Sequence, residues 1–303
     1  MTGRQNAAGV AAILAAAVLW GTTGTAASLA PALGAAAIGA AAIGLGGLMQ
    51  ALVALPRIWR ARRGMLGQWR YLLPGALAVA VYPLAFYGSM RLAGVTIGTV
   101  VTIGAAPIFS ALVERIAEGR RLSARWSLGA ACGIAGIGLI CAGHGSGPGT
   151  PGDAVTAGIV LGLAGAASYA LYSWTARAMM LRGTGAAAAM GATFGAGGLL
   201  LLPVLAATGA PFLDSWSNAA VGAYMALVPM FLGYLAYGYG LARVPASTAT
   251  TLTLLEPVVA AMLAMAVVGE RLAATGWAGV ALVLSCLVIV TLPRPARRPA
   301  VPA

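Results

Sequence analysis

The chain has 303 residues, of which 60% are hydrophobic and only 8% charged, with 43 glycines and a net charge of +12. A soluble domain of this size carries about a quarter charged residues, so this chain has too few charges to cover a water-facing surface, and the bilayer is the solvent that fits it. Every basic residue is an arginine in or near the short gaps between apolar runs, which reads as headgroup contact and orientation and excludes nucleic acid as a partner.

No charge falls between Arg4 and Arg57, and that run divides at Pro31–Gly34 into helix 1 over 9–29 and helix 2 over 34–55. The first run has Arg4 and small residues near Ala26–Ser28, as a signal peptide does, but it is long for one and reads as a retained span. Helix 3 follows over 71–90, helix 4 over 94–116 and helix 5 over 126–143. Residues 144–153 form a Gly/Pro/Ser-rich connecting loop. Helices 6 to 10 then run over 154–176, 185–207, 217–241, 245–268 and 274–292. Each is close to the roughly 20 residues that cross the hydrocarbon core. Residues 1–8 and the Arg/Pro-rich tail 293–303 flank them. With a cytoplasmic N-terminus, sixteen arginines lie inside and only Arg91 and Arg271 outside. That bias argues for ten spans in an inner membrane with both termini cytoplasmic.

The chain also repeats itself. Sliding it by 150 residues lays Tyr87-Gly88 on Tyr237-Gly238, Pro107 on Pro257 and Gly119, Arg121 and Leu122 on Gly269, Arg271 and Leu272, with twelve identities between residues 76 and 131. Five helices per copy is odd, so the second copy enters the membrane inverted. The expected fold is all-α: ten transmembrane helices as two inverted five-helix repeats, 9–143 and 154–292, around a central cavity. Repeats of this kind give carriers two exchangeable conformations around one site.

Trp20-Gly21, the segment Tyr87–Val95 and the stretch 251–272, TLTLLEPVVAAMLAMAVVGERL, resemble the EamA type of the drug/metabolite transporter superfamily. The repeat of that family typically closes with a proline-bearing helix, a Gly-Glu-Arg-Leu-like turn and a final helix. The second copy has that turn intact at Gly269–Leu272, whereas the first reads Glu118-Gly119-Arg120-Arg121-Leu122, with the acid displaced. The resemblance covers about residues 9–292. It implies a cavity lined by both halves, with helices 5 and 10 more peripheral, and a substrate among amino acids, other metabolites, drugs or sugar-related compounds.

Glu256, beside Pro257 in the middle of helix 9, is the main candidate for substrate binding or coupling. A charge at the bilayer centre costs about 2.5–3.5 kcal/mol on insertion scales, so it faces a cavity, finds a partner or stays protonated. It suits a substrate ammonium group or a coupling proton; the alternative is a bond to backbone freed by Pro257. Pro107 and Pro257 are expected as helix breaks at the cavity. Trp20, Tyr82, Tyr87 and Tyr237 supply aromatic faces for stacking or for a cation, as Tyr169 and Tyr234 do to a lesser degree; each competes with simple core packing. Threonines 22, 23, 99, 102, 250, 251 and 253 are expected to bond their own backbone. Glu114, Glu118 and Glu270 are expected to pair with arginines at the interface. Cys132, Cys141, Cys286 and the lone His144 have no metal-ligand spacing, so neither a metal nor another cofactor is expected.

These features point to a secondary transporter working by alternating access on a small metabolite, amino-acid-like and exported. An organic-cation or multidrug exporter of the same fold is the alternative. A channel lacks a filter-like motif. An intramembrane enzyme lacks an intramembrane histidine or a second midplane acid. No phosphate-cradling Gly-Lys-Ser/Thr loop occurs, which leaves a proton gradient, exchange or the substrate's own gradient as the energy source. The assembly is expected to be a monomer or a homodimer in the lipid bilayer.

Overall fold

The computed structural model describes residues 3–119, 121–142, 152–268 and 273–292, and among them the chain is helical throughout, with no strand. Among the described residues, nine helices are long and apolar enough to cross a membrane: α1 Asn6–Ser28, α2 Ala35–Leu66, α3 Trp69–Ala93, α4 Ile97–Glu118, α6 Asp153–Leu181, α7 Ala186–Thr208, α8 Trp216–Leu241, α9 Ala246–Val267 and α10 Ala274–Thr291. A shorter apolar helix, α5 Ala124–Ile140, lies between α4 and α6. The segment around Pro31 is non-helical, as the sequence predicts. α2 runs past the expected end at residue 55: it carries Pro56 inside it and continues through Arg57, Arg60, Arg62 and Arg63, which are good helix formers, to Leu66 before Gly67. Arg120, His144 and the Gly269–Leu272 turn with Glu270 and Arg271 lie outside the described residues, as do the tail arginines and most of the connecting loop.

Packing follows a simple scheme. α1 lies against α8 and α9; α6 lies against α3 and α4; α2 pairs with α7 and α5 with α10; α3 also touches α7, and α2 touches α8. Small residues permit the closest crossings. A Cβ on Gly136 of α5 would stand 2.7 Å from the Gly279 carbonyl oxygen of α10, so this pair meets backbone to backbone. Leu52, Leu77, Ile108, Leu199 and Val288 are exposed on the outside of the bundle, where lipid tails would meet them.

The arginine-bearing helix ends contact one another. The start of α3 meets the end of α6, with Arg182 stacked over Tyr71 at 4.4 Å. Arg177 Nε donates to the Val244 carbonyl at 2.8 Å, tying the end of α6 to the α8–α9 turn. The Arg125 guanidinium at the start of α5 donates to the carbonyls of Ile289 and Leu292 at the end of α10. Trp59 lies exposed beneath Arg62, 4.4 Å away.

Candidate functional site

Two helices are interrupted where they cross. In α1 the α-helical ladder stops at Gly21 and resumes at Thr23. The hydroxyls of Thr22 and Thr23 donate to the carbonyls of Leu19 and Trp20, both at 2.7 Å, and so occupy acceptors that the ladder would use. In α9 the break falls at Thr253–Leu254, between helical segments Ala246–Leu252 and Leu255–Leu263. Here the cause is Pro257. It has no N–H to give the Thr253 carbonyl four residues back, and that carbonyl accepts the Glu256 N–H instead, at 2.9 Å. The tighter turn carries Glu256 into the first turn of the second segment, where a proline is tolerated. Pro107, the matching proline of α4, sits inside an unbroken helix.

A small cavity lies beside this crossing, lined by Trp20, Thr23, Ile43, Tyr82, Phe86, Tyr87, Tyr169, Met230, Tyr234 and Glu256. Four of the sequence candidates, Glu256, Trp20, Tyr82 and Tyr87, therefore share one wall system. Pro257 is buried next to Glu256; neither proline is among the lining residues. Tyr237 is fully buried behind the lining, its ring 5.3 Å from Trp20 and its hydroxyl bonded to Ser173 Oγ at 2.8 Å.

The aromatic wall is closely packed and largely satisfied. Trp20 packs on Tyr234 at 4.7 Å and presents an edge to Tyr169 at 6.3 Å. Its indole N–H donates to the Pro229 carbonyl at 2.8 Å, inside a π turn of α8 at Ala226–Leu232. π turns shift side chains out of the regular helical register and recur at functional sites. The Tyr169 hydroxyl donates to Thr253 Oγ1 at 3.0 Å, bracing the α9 break from α6. The Tyr172 and Tyr234 hydroxyls bond each other at 2.9 Å. Tyr82 stacks along Phe86 at 5.8 Å, and Phe86 leans on Tyr87 at 5.1 Å.

Three polar groups of the lining are different. Among the described residues, the hydroxyls of Tyr82 and Tyr87 make no hydrogen bond, and the Glu256 carboxylate has neither a hydrogen-bond nor an ion-pair partner. The arrangement is thus one carboxylate and two phenols facing a hollow walled by aromatic rings, with no basic side chain in the lining. Such a hollow attracts a cation, through the carboxylate and the ring faces together. Its volume is about 20 Å³, whereas small-molecule pockets run to about 300–1,000 Å³. A ligand enters only if the lining moves.

The sequence reading missed Ile43, Phe86 and Met230 of the lining, and Tyr172 packed behind it. Phe86 stands four residues after Tyr82, one helical turn on, and Tyr172 follows Tyr169 on the inward face of α6; helical spacing would have found both. Glu114 departs further from expectation. It is buried rather than interfacial, and its carboxylate accepts from the Ser247 N–H at 3.1 Å and from Ser247 Oγ at 2.7 Å, at the start of α9. Burial explains the difference: α9 covers this face of α4 and offers it free helix-terminal donors. Glu118 does lie exposed and accepts from the Trp174 indole at 2.9 Å. Threonines 250 and 251 bond their own backbone carbonyls.

The model of the EamA-like transporter family matches residues 7–142 and 156–292. A protein of Bacillus subtilis named "Uncharacterized transporter YwfM" is 30% identical over 285 residues, 93% of both chains. A "Probable terminal-alkyne amino-acid exporter" of Streptantibioticus cattleyicolor is 28% identical over 204 residues, covering 65% of this chain and 64% of that one. A solved crystal structure superposes with a TM-score of 0.77 at 18% identity, over 94% of this chain and 96% of the other, which establishes likeness of fold.

Proposed function

The chain belongs to the EamA-like transporter family, and from that premise we propose that it is a secondary transporter that exports a small amino-acid-like metabolite by alternating access. The observation that carries this reading is the Glu256 carboxylate, without a partner among the described residues, in an aromatic hollow at the crossing of two broken helices. The substrate ammonium group pairs with Glu256 and lies against the faces of Trp20 and Tyr234, and the phenols of Tyr82 and Tyr87 donate to its carboxylate. When no substrate is bound, a proton takes the place of the ammonium group on Glu256, which couples export to the proton gradient. One relative named as an amino-acid exporter supports the substrate class.

The two exchangeable conformations come from inverted five-helix halves, 9–143 and 154–292. The packing scheme supports this. Exchanging each helix for the one five places along turns α1–α8 and α1–α9 into α6–α3 and α6–α4, and α3–α7 into α8–α2, while α2–α7 and α5–α10 map on to themselves. The contacts among arginine-bearing ends support an inner-membrane orientation with both termini in the cytoplasm.

An organic cation is the second reading. It is favoured by the absence of any basic side chain in the lining to meet a substrate carboxylate. Purified protein in proteoliposomes decides between them: saturable uptake of amino acids, or of tetraalkylammonium ions, is measured with and without a pH gradient. Glu256→Gln is expected to abolish saturable flux and its response to the gradient. A wild-type rate with unaltered pH dependence in that variant would overturn the assignment of Glu256.

A further inference from the structure

Glu114 lies outside the cavity, yet it joins the two halves of the chain. It is 1% exposed, and its bonds to Ser247 run between residues 133 positions apart. Ser247, 3% exposed, is the second residue of α9, where backbone N–H groups have no partner within the helix. A carboxylate there also meets the positive end of the helix dipole. From Ser247 the segment Ala246–Leu252 runs as one rigid piece to the Thr253–Leu254 break and Glu256. Whatever holds Ser247 therefore holds the wall of the cavity on that side.

The repeat does not supply the same pair at the opposite end. The offset of 150 residues that aligns the two halves places Ala264 opposite Glu114 and Ile97 opposite Ser247. No carboxylate and no hydroxyl stand at these two positions; among the described residues the halves meet at that end through neutral groups, Thr22 Oγ1 with the Tyr224 hydroxyl at 2.7 Å and Ser217 Oγ with the Leu29 carbonyl at 3.4 Å.

We propose that Glu114 is a positioning residue for transport: a latch that holds α4 to α9 at the arginine-bearing end, so that the carrier rests closed at that end and opens there only when both bonds to Ser247 break. This rests on the alternating-access reading. The latch makes the two openings unequal in free energy although the helices are related by near-symmetry.

The test uses the full chain with its three cysteines, Cys132, Cys141 and Cys286, replaced by alanine, and Thr250→Cys as the reporter. Thr250 is fully buried one turn beyond Ser247. Labelling by a membrane-impermeant maleimide is timed from each side in vesicles of known orientation. Glu114→Ala is expected to speed labelling from the arginine-bearing side at least about tenfold, with Glu114→Gln and Ser247→Ala intermediate because each leaves one bond. A purely structural role would lower the melting temperature and leave labelling as slow as in the parent, and that result would overturn the latch even if only Glu114→Gln and Ser247→Ala fold. The same vesicles are labelled with and without saturating substrate. If the Glu114→Ala rate rises but substrate never changes labelling from either side, the latch stands as a closure and alternating access fails. If substrate changes labelling in the parent and Glu114→Ala does nothing, the reverse holds.

Discussion

Gly21 is where the crossing of the two broken helices can be tested most directly. A Cβ added there would stand 2.6 Å from Val259 Cβ, 2.7 Å from Val259 Cγ1 and 2.9 Å from the Glu256 carbonyl oxygen. Carbon atoms in contact sit about 3.5–4.0 Å apart, so Gly21→Ala must drive α1 and α9 apart by about 1 Å. Overpacking of this kind costs about 1–3 kcal/mol. The displaced atoms are one residue from Trp20 and on the same turn as Glu256, so the strain falls on the cavity. If the variant relieves it by holding the helices in the wrong place for substrate, apparent affinity drops about 5- to 150-fold. Gly24 is the control. It lies on the same helix, and nothing stands within 4 Å of a Cβ there. Gly24→Ala is expected to transport as the parent does and to melt no lower, since alanine is the better helix former. Both variants are measured for substrate KM in proteoliposomes and for thermal unfolding in detergent. If Gly21→Ala matches Gly24→Ala in both, the crossing is not as tight as the geometry requires and the reasoning fails.

The tyrosines and prolines separate in the same way. Tyr237→Phe removes the bond to Ser173 in a fully buried place, so it should cost about 1 kcal/mol of stability while KM moves less than about twofold; a lost substrate affinity with unchanged melting would contradict this. Tyr87→Phe removes a hydroxyl without a partner among the described residues, and is expected to leave melting unchanged and raise KM. Pro107→Ala restores a donor inside an already continuous helix, so transport should persist and stability hold or rise. Pro257→Ala restores the N–H that lets the helix run through Thr253–Leu254, which should turn Glu256 away and lower the transport rate at least about tenfold. Equal effects of the two prolines, read by initial uptake rates, would show that the break does not depend on Pro257.

Helix positions were legible because each apolar run is bounded by arginine, proline or glycine. α7, α8, α9 and α10 match the expected bounds to within one residue, whereas α2 and α6 run past their expected ends at residues 55 and 176, to Leu66 and Leu181. Glu256 was legible because an acid at membrane depth demands an explanation, and Trp20 because Trp20-Gly21 resembles the family pattern. The interruptions were not. Pro107 and Pro257 look alike in sequence, yet only one stands after a break, because a helix can bend around a proline or turn before it according to what packs alongside. Tyr169 braces Thr253 from α6, and no local pattern announces a contact across 84 residues. The same limit applies to Glu114. Its neighbours Arg115 and Glu118 suggested the interface, but its partner lies on a helix that sequence proximity does not reveal. Tyr87 and Tyr237 match in the repeat and still differ in role, since one is half-buried at the cavity and the other is sealed behind it.

The polar groups around the cavity also constrain what it can accept. A helix break in a bilayer is costly if it strands a carbonyl away from water. Here the breaks supply their own partners: Thr22 and Thr23 cover Leu19 and Trp20, and the Glu256 N–H covers Thr253. Tyr169, Tyr172, Tyr234 and Tyr237 likewise bond within the protein. Among the described residues that line the cavity, those left unmet are a carboxylate and two phenols. A ligand bearing a cationic head meets the carboxylate, whereas a neutral ligand of the same shape leaves it buried beside apolar groups, a penalty of about 1–3 kcal/mol or more for a charged acceptor. Selectivity on this reading comes less from attraction than from what goes unpaired when the wrong molecule enters. It follows that Glu256→Gln should lose discrimination between a cationic substrate and its neutral isostere in a binding assay; a variant that keeps that preference would place the recognising group elsewhere.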